Sequence, residues 1–76
     1  MKHPKLANLK YIVNICTLIG KLRILAGYSI VEAADYAELT VKELSDIEAG
    51  LNLAVDFNLI VSLCHLYGVD VEKLVA

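Results

Sequence analysis

The sequence predicts an all-α fold of five short helices, or six if Gly20 breaks the first. Three observations carry that expectation. Apolar residues recur at spacings of three and four, which lays them along one face of a helix. Two helix-start signatures, Ser29 with Glu32 and Thr40 with Glu43, follow one another closely, each pairing a hydroxyl with a carboxylate three residues on. Gly27, Gly50 and Gly68 stand where three of the apolar segments would stop. No period-2 alternation and no Asn-Gly or Asp-Gly hairpin dipeptide argues for a strand.

The first helix is expected over residues 6–26, with Leu9, Ile12, Val13, Cys16, Ile19, Leu22 and Arg23 on one face and Gly27 as its stop. Gly20 lies inside it and costs roughly 1 kcal/mol relative to alanine. Ser29 opens a second helix that ends near residue 37, and Thr40 opens a third over residues 40–49 whose buried face holds Leu44 and Ile47. The fourth covers residues 55–67, with Val55, Leu59, Leu63 and Leu66 at helical spacing. Asp70 caps a last turn that holds Leu74.

Composition limits what such a chain can be. At 76 residues, 58% hydrophobic and 21% charged, with one proline, it forms a single small domain. Ordering a chain costs on the order of 1.5 kcal/mol per residue, so a domain this small needs a dense core or a partner. The apolar excess points to a homodimer. In the first helix Tyr11, Ile12, Val13, Ile15, Cys16, Leu18, Ile19, Leu22, Ile24 and Leu25 occupy nearly every azimuth. Tyr11, Ile15 and Leu18 are therefore expected at an interface, with Val69, Val71, Leu74 and Val75 as a second patch.

Other chemistries lack parts. Cys16 and Cys64 have no zinc-ligand spacing and read as buried thiols of a reducing, cytoplasmic compartment. The N-terminal stretch lacks the apolar core of a signal peptide, and Asn14, Gly20, Lys21 and Arg23 interrupt the richest apolar run, so no membrane span is expected. His65 adjoins Cys64 on one helix and points about 100° away from it, which leaves no nucleophile pair. No enzyme activity, cofactor or metal site is expected.

Charge divides the chain in two. Lys2, Lys5, Lys10, Lys21 and Arg23 precede every acid, whereas from Ile24 onward two lysines face nine acids, a net of −7. Between Tyr28 and Gly50, Lys42 alone opposes Glu32, Asp35, Glu38, Glu43, Asp46 and Glu48. A basic arm precedes an acidic body.

Two short helices joined by about three residues form a helix-turn-helix, the second helix of which can fit the DNA major groove. Ile19, Leu22, Arg23, Gly27 and Ser29 stand at the spacing I-x-x-L-R-x-x-x-G-x-S; Ala34 follows in the second helix, and Leu44, Ile47, Glu48 and Gly50 in the third. Cys64, Tyr67, Gly68, Val69 and Leu74 complete a pattern close to A-x-x-L-G-V-x-x-x-x-L. In these positions the chain resembles the lambda-repressor/Cro-like (XRE) helix-turn-helix family, over residues 19–75 of one domain spanning 1–76, with 1–18 as an N-terminal extension.

The resemblance implies a lambda-repressor-like DNA-binding domain, a small transcriptional regulator that binds double-stranded DNA as a dimer. It implies that Thr40, Val41, Lys42, Glu43, Ser45 and Asp46 of the third helix, and Asn52 after it, face DNA. It also implies an ion pair between Arg23 and Glu48 that fixes the first helix to the third. Departures from the family pattern are Ile30 for a phosphate-binding Gln, Glu38 for the turn glycine, Ala49 for a basic residue and Leu53 for a proline. Glu38 would then carry a strained positive φ, or the turn has another shape. The apolar first helix and the acidic third helix motivate an alternative, a protein-interaction module of the same fold (antirepressor, cofactor or self-assembling subunit) that has lost DNA binding.

Overall fold

In the computed structural model, which describes residues 9–52 and 55–75, the three-and-four spacing becomes four helices of seven or more residues and one closing turn. The helices are α1 (Leu9–Ala26), α2 (Ile30–Tyr36), α3 (Val41–Glu48) and α4 (Phe57–Tyr67), and the turn is α5 (Glu72–Val75). No strand occurs among the described residues. Helix α1 runs unbroken through Gly20, so the sixth helix does not form. The expected start near residue 6 lies outside the described residues.

Local chemistry sets the remaining boundaries. Ser29 and Thr40 each cap a helix through a complete capping box. Helix α4 begins two residues later than the apolar spacing suggests, because the Asp56 carboxylate accepts from the Leu59 N–H at 2.8 Å and fixes the cap there. Asp70 accepts from the Glu72 N–H at 3.0 Å and opens α5.

The core gathers Ile15 and Ile19 of α1, Ala33 and Ala34 of α2, Leu44 of α3, and Ile60, Leu63, Cys64 and Tyr67 of α4. Helix α1 packs on α3 and α4, and α2 on the same two. The fully buried Ala33 lets the backbone of α2 come close to its neighbours. Cys16 and Cys64 are buried free thiols, and burial pushes both above the usual thiol range.

One interface expectation needs correction. Ile15 is 6% exposed inside a single chain and belongs to the core, because it sits one turn before Ile19 on the same face. Leu18 stays on the surface, and Val69 and Val71 are half-buried against the core. The side chains of Tyr11, Leu74 and Val75 lie outside the described ones. At the other end of α1, Ile24 and Leu25 are exposed.

All four longer helices stop in the same way. Tyr28, Leu39, Leu51 and Val69 each donate a backbone N–H to the carbonyl five residues back, at 2.8–3.1 Å. The residue just before each donor is left-handed: Gly27, Gly50 and Gly68 in three cases and Glu38, at φ +59°, in the fourth. A side chain in that conformation costs about 1–2 kcal/mol, partly offset by the entropy a glycine would lose on folding. Glu38→Gly should therefore stabilise the protein by about 0.5–1 kcal/mol. The measurement is the urea midpoint at unchanged slope, and a lower midpoint would contradict strain at this turn.

Candidate nucleic-acid interface

The α2-turn-α3 unit is shaped by its two caps. Ser29 Oγ accepts from the Glu32 N–H at 3.1 Å while Glu32 Oε1 accepts from the Ser29 N–H at 2.8 Å. Thr40 Oγ1 accepts from the Glu43 N–H at 3.0 Å, and Glu43 Oε1 accepts from the Thr40 N–H at 2.8 Å. A helix N-terminus attracts anions through unpaired N–H groups and the helix dipole. Here one N–H at each start is met internally, by Ser29 Oγ, Thr40 Oγ1 and the Asp56 carboxylate, and Glu32 and Glu43 bring further negative charge to the starts of α2 and α3.

The residues expected to face DNA lie together on α3 and its exit, and several of them bond to one another. Thr40 and Glu43 close the cap. Lys42, whose side chain is 83% exposed, donates from Nζ to Asp46 Oδ2 at 2.9 Å, and this hydrogen bond raises its pKa. Val41 is exposed and Ser45 half-buried, and Asn52 donates its N–H to the Asp46 carbonyl at 3.2 Å. The one cation between Tyr28 and Gly50 is thus engaged with a neighbouring carboxylate. The basic residues Lys2 and Lys5 lie outside the described residues.

Beneath this face, Arg23 and Glu48 orient α3 on α1. Arg23 Nε donates to Glu48 Oε2 at 2.8 Å and Nη2 to Oε1 at 3.1 Å, while Nη1 donates to the Tyr28 carbonyl at 2.9 Å. The two side chains are 14% and 12% exposed. The hydrogen bond from Glu48 raises the Arg23 pKa further, so the guanidinium is permanently charged. Gly20 makes room for the pair: a Cβ there would sit 3.1 Å from the Glu48 Cβ and Oε1.

Tyr67 closes the same region, with its ring centroid 6.1 Å from that of Tyr28. Among the described residues its buried hydroxyl has no hydrogen-bond partner. Burial, and then the Glu48 charge, push this hydroxyl up to about 12, against a downward pull from Arg23. The folded value lies above the unfolded one of about 10, so this contribution to stability is complete below pH 10 and is lost as pH rises from about 10 through 12. Tyr67→Phe should remove that alkaline loss and stabilise the protein by about 1 kcal/mol at pH 7, because an unpaired buried hydroxyl is a net cost. Urea midpoints at pH 7 and pH 11 test both parts, and a destabilised Phe variant at pH 7 would show that the hydroxyl has a partner.

The sequence of residues 19–74, which holds both capped helices and the Arg23–Glu48 bridge, matches a helix-turn-helix family model. The chain belongs to the XRE-type helix-turn-helix family. That is a family of DNA-binding transcription regulators, not of enzymes. Neither the curated proteins nor the solved structures contain a match to the chain. In this helix-turn-helix domain the match starts at Ile19, so residues 9–18 of α1 precede the family region and yet supply Ile15 and Cys16 to the buried interior.

Sequence reasoning missed three features of the domain. In the sequence Gly20 reads as a weak point in α1, whereas in the structure it is the position where α1 approaches Glu48. The Lys42–Asp46 pair has the i,i+4 spacing of a helical ion pair and was legible. The unpaired Tyr67 hydroxyl had only one signal, a tyrosine in place of the family leucine. Among the described residues no three His, Cys, Asp or Glu side chains are grouped to hold a metal ion, and no single helix is long and apolar enough to cross a membrane.

Proposed function

We propose that this protein is a small sequence-specific transcriptional regulator that binds double-stranded DNA as a dimer, with α3 at the major groove. The observation that carries the reading is the family match across the α2-turn-α3 unit, in which α3 is held at a fixed angle by the Arg23–Glu48 bridge and keeps Val41 and Lys42 on the surface. Leu18, Val69 and Val71, with Tyr11, Leu74 and Val75, are the candidate dimer contacts, and the compartment is the cytoplasm. In this reading Lys42 exchanges Asp46 for a guanine or a phosphate, and Ser45 and Asn52 add polar contacts.

Fluorescence anisotropy of the full chain against a randomised duplex pool across a salt series tests it. Binding should weaken with salt, and Lys42→Ala should lower both affinity and the salt slope, the latter by about 0.9. Folding should be unaffected, since the Lys42 side chain is solvent-exposed. A folded protein that enriches no duplex at low salt would overturn the reading.

A second reading is favoured by the charge on the same face. With a net of −5 between Tyr28 and Gly50, and with the N-termini of α2 and α3 closed by Glu32 and Glu43, phosphate is opposed where a DNA-binding member needs it. The domain would then be an interaction module that binds a basic protein surface, as an antirepressor or cofactor. Failure to bind duplex together with salt-sensitive capture of a basic partner would favour it.

A further inference from the structure

A groove of about 530 Å³ opens between the helix-turn-helix turn and the start of α4. The half-buried Leu39 and Leu59 and the ring of Tyr36 give it an apolar lining, while Glu38, Asp56 and Asn58 are exposed around it. No cation lines it. Asp56 uses one oxygen on its helix cap, whereas the exposed Glu38 carboxylate, on a left-handed turn residue, has no hydrogen-bond or ion-pair partner among the described residues. A ligand for this groove carries an apolar side chain beside a positive charge.

Residues 1–8 of this chain, MKHPKLAN, have that composition: Lys2 and Lys5, no acid, and Leu6 directly after Lys5. We propose that this segment of one copy docks in the Tyr36–Leu59 groove of a second copy, with Leu6 against Leu39 and Leu59 and with Lys5 on Glu38. The course of α1 favours a neighbour's groove over the chain's own. Toward its N-terminus α1 moves from Glu48, opposite Gly20, to Gly50, opposite Val13, and so passes beyond the C-terminal end of α3. The groove lies at the other end of α3, just before its cap Thr40.

Docking of this kind joins the basic arm to the acidic body and gives head-to-tail association steered by charge, with the apolar contact supplying affinity. It also takes the arm's lysines away from phosphate, so assembly and DNA binding compete for the same residues. The proposal stands apart from the DNA reading, because its readout is molecular mass.

Sedimentation velocity of the full chain over a concentration and salt series tests it. The wild-type chain should self-associate and dissociate as salt rises. Lys5→Glu and Glu38→Lys should each weaken association by about fivefold, and the double variant Lys5→Glu/Glu38→Lys should recover most of the loss. Lysine tolerates the left-handed position no worse than glutamate, and melting by circular dichroism checks that both variants fold. Asp56→Asn keeps the helix cap while removing the second charge, and should weaken association in the same direction. A chain that stays single at every concentration, or a double variant that recovers nothing, would overturn the proposal.

Discussion

Replacing Arg23 by alanine should destabilise the protein by about 3 kcal/mol, the largest effect expected of any single substitution outside the apolar core. Arg23 places five N–H donors between α1 and α3, and three of its bonds are made: two to the Glu48 carboxylate and one to the Tyr28 carbonyl. Both side chains are largely withdrawn from water, at 14% and 12% exposure. Removing the guanidinium leaves the Glu48 charge beside the apolar ring of Tyr67 and strands the Tyr28 carbonyl at the α1–α2 corner. A domain of this length has a total stability of about 4 to 11 kcal/mol, so the variant would retain a small margin. Its melting temperature should fall by roughly 15 °C.

The double variant separates the worth of the bridge from the cost of breaking it. Arg23→Met/Glu48→Met keeps bulk at both positions and removes both charges, and should recover much of what Arg23→Ala loses, because no buried charge is left alone. Equal destabilisation of the single and double variants would mean that the pair contributes attraction rather than avoiding a penalty. Urea unfolding of wild type, Arg23→Met, Glu48→Met and the double variant closes the cycle and measures this directly.

Elements that depend on near neighbours were legible in the sequence. The capping boxes at Ser29 and Thr40 are three-residue patterns, and both close as the hydrogen-bonding chemistry dictates. Glu38 stands where the family has its turn glycine, which left a positive φ or a different turn, and the structure shows the positive φ. Features that depend on which elements meet in space were not legible. Ile15 lies one turn before Ile19 and Leu18 does not, but on a helix apolar at nearly every azimuth only the packing of α3 and α4 decides which face is buried. Gly20 shows the same limit: a glycine within a helix announces a missing side chain, but not that Glu48 occupies the space.

The candidate site was legible in position but not in state. Spacing placed Thr40 to Asp46 on one short helix, yet whether a polar side chain is offered to a ligand depends on what it already bonds. Thr40 and Glu43 satisfy each other, and Lys42 is held by Asp46. These bonds give α3 stability at its N-terminus and, by the same contacts, withhold its polar groups from a phosphate.

Neutralising the two carboxylates that engage α3's polar groups should therefore raise DNA affinity by at least about tenfold at 0.1 M salt. In Glu43→Gln/Asp46→Asn, glutamine preserves the capping box, so α3 keeps its start. Asparagine releases Lys42 from its ion pair, so the lysine reaches DNA without first giving up Asp46. Loss of two repulsive charges adds to that. The cost in stability should stay under about 1 kcal/mol, because the Lys42–Asp46 pair is at the surface. Anisotropy over a salt series, with melting measured on the same samples, gives both quantities. Tighter binding places α3 against DNA and identifies the acidic residues as a brake on affinity. No change in duplex binding, together with loss of a basic partner, would instead make Glu43 and Asp46 contact residues of a protein interface and move the function to the second reading.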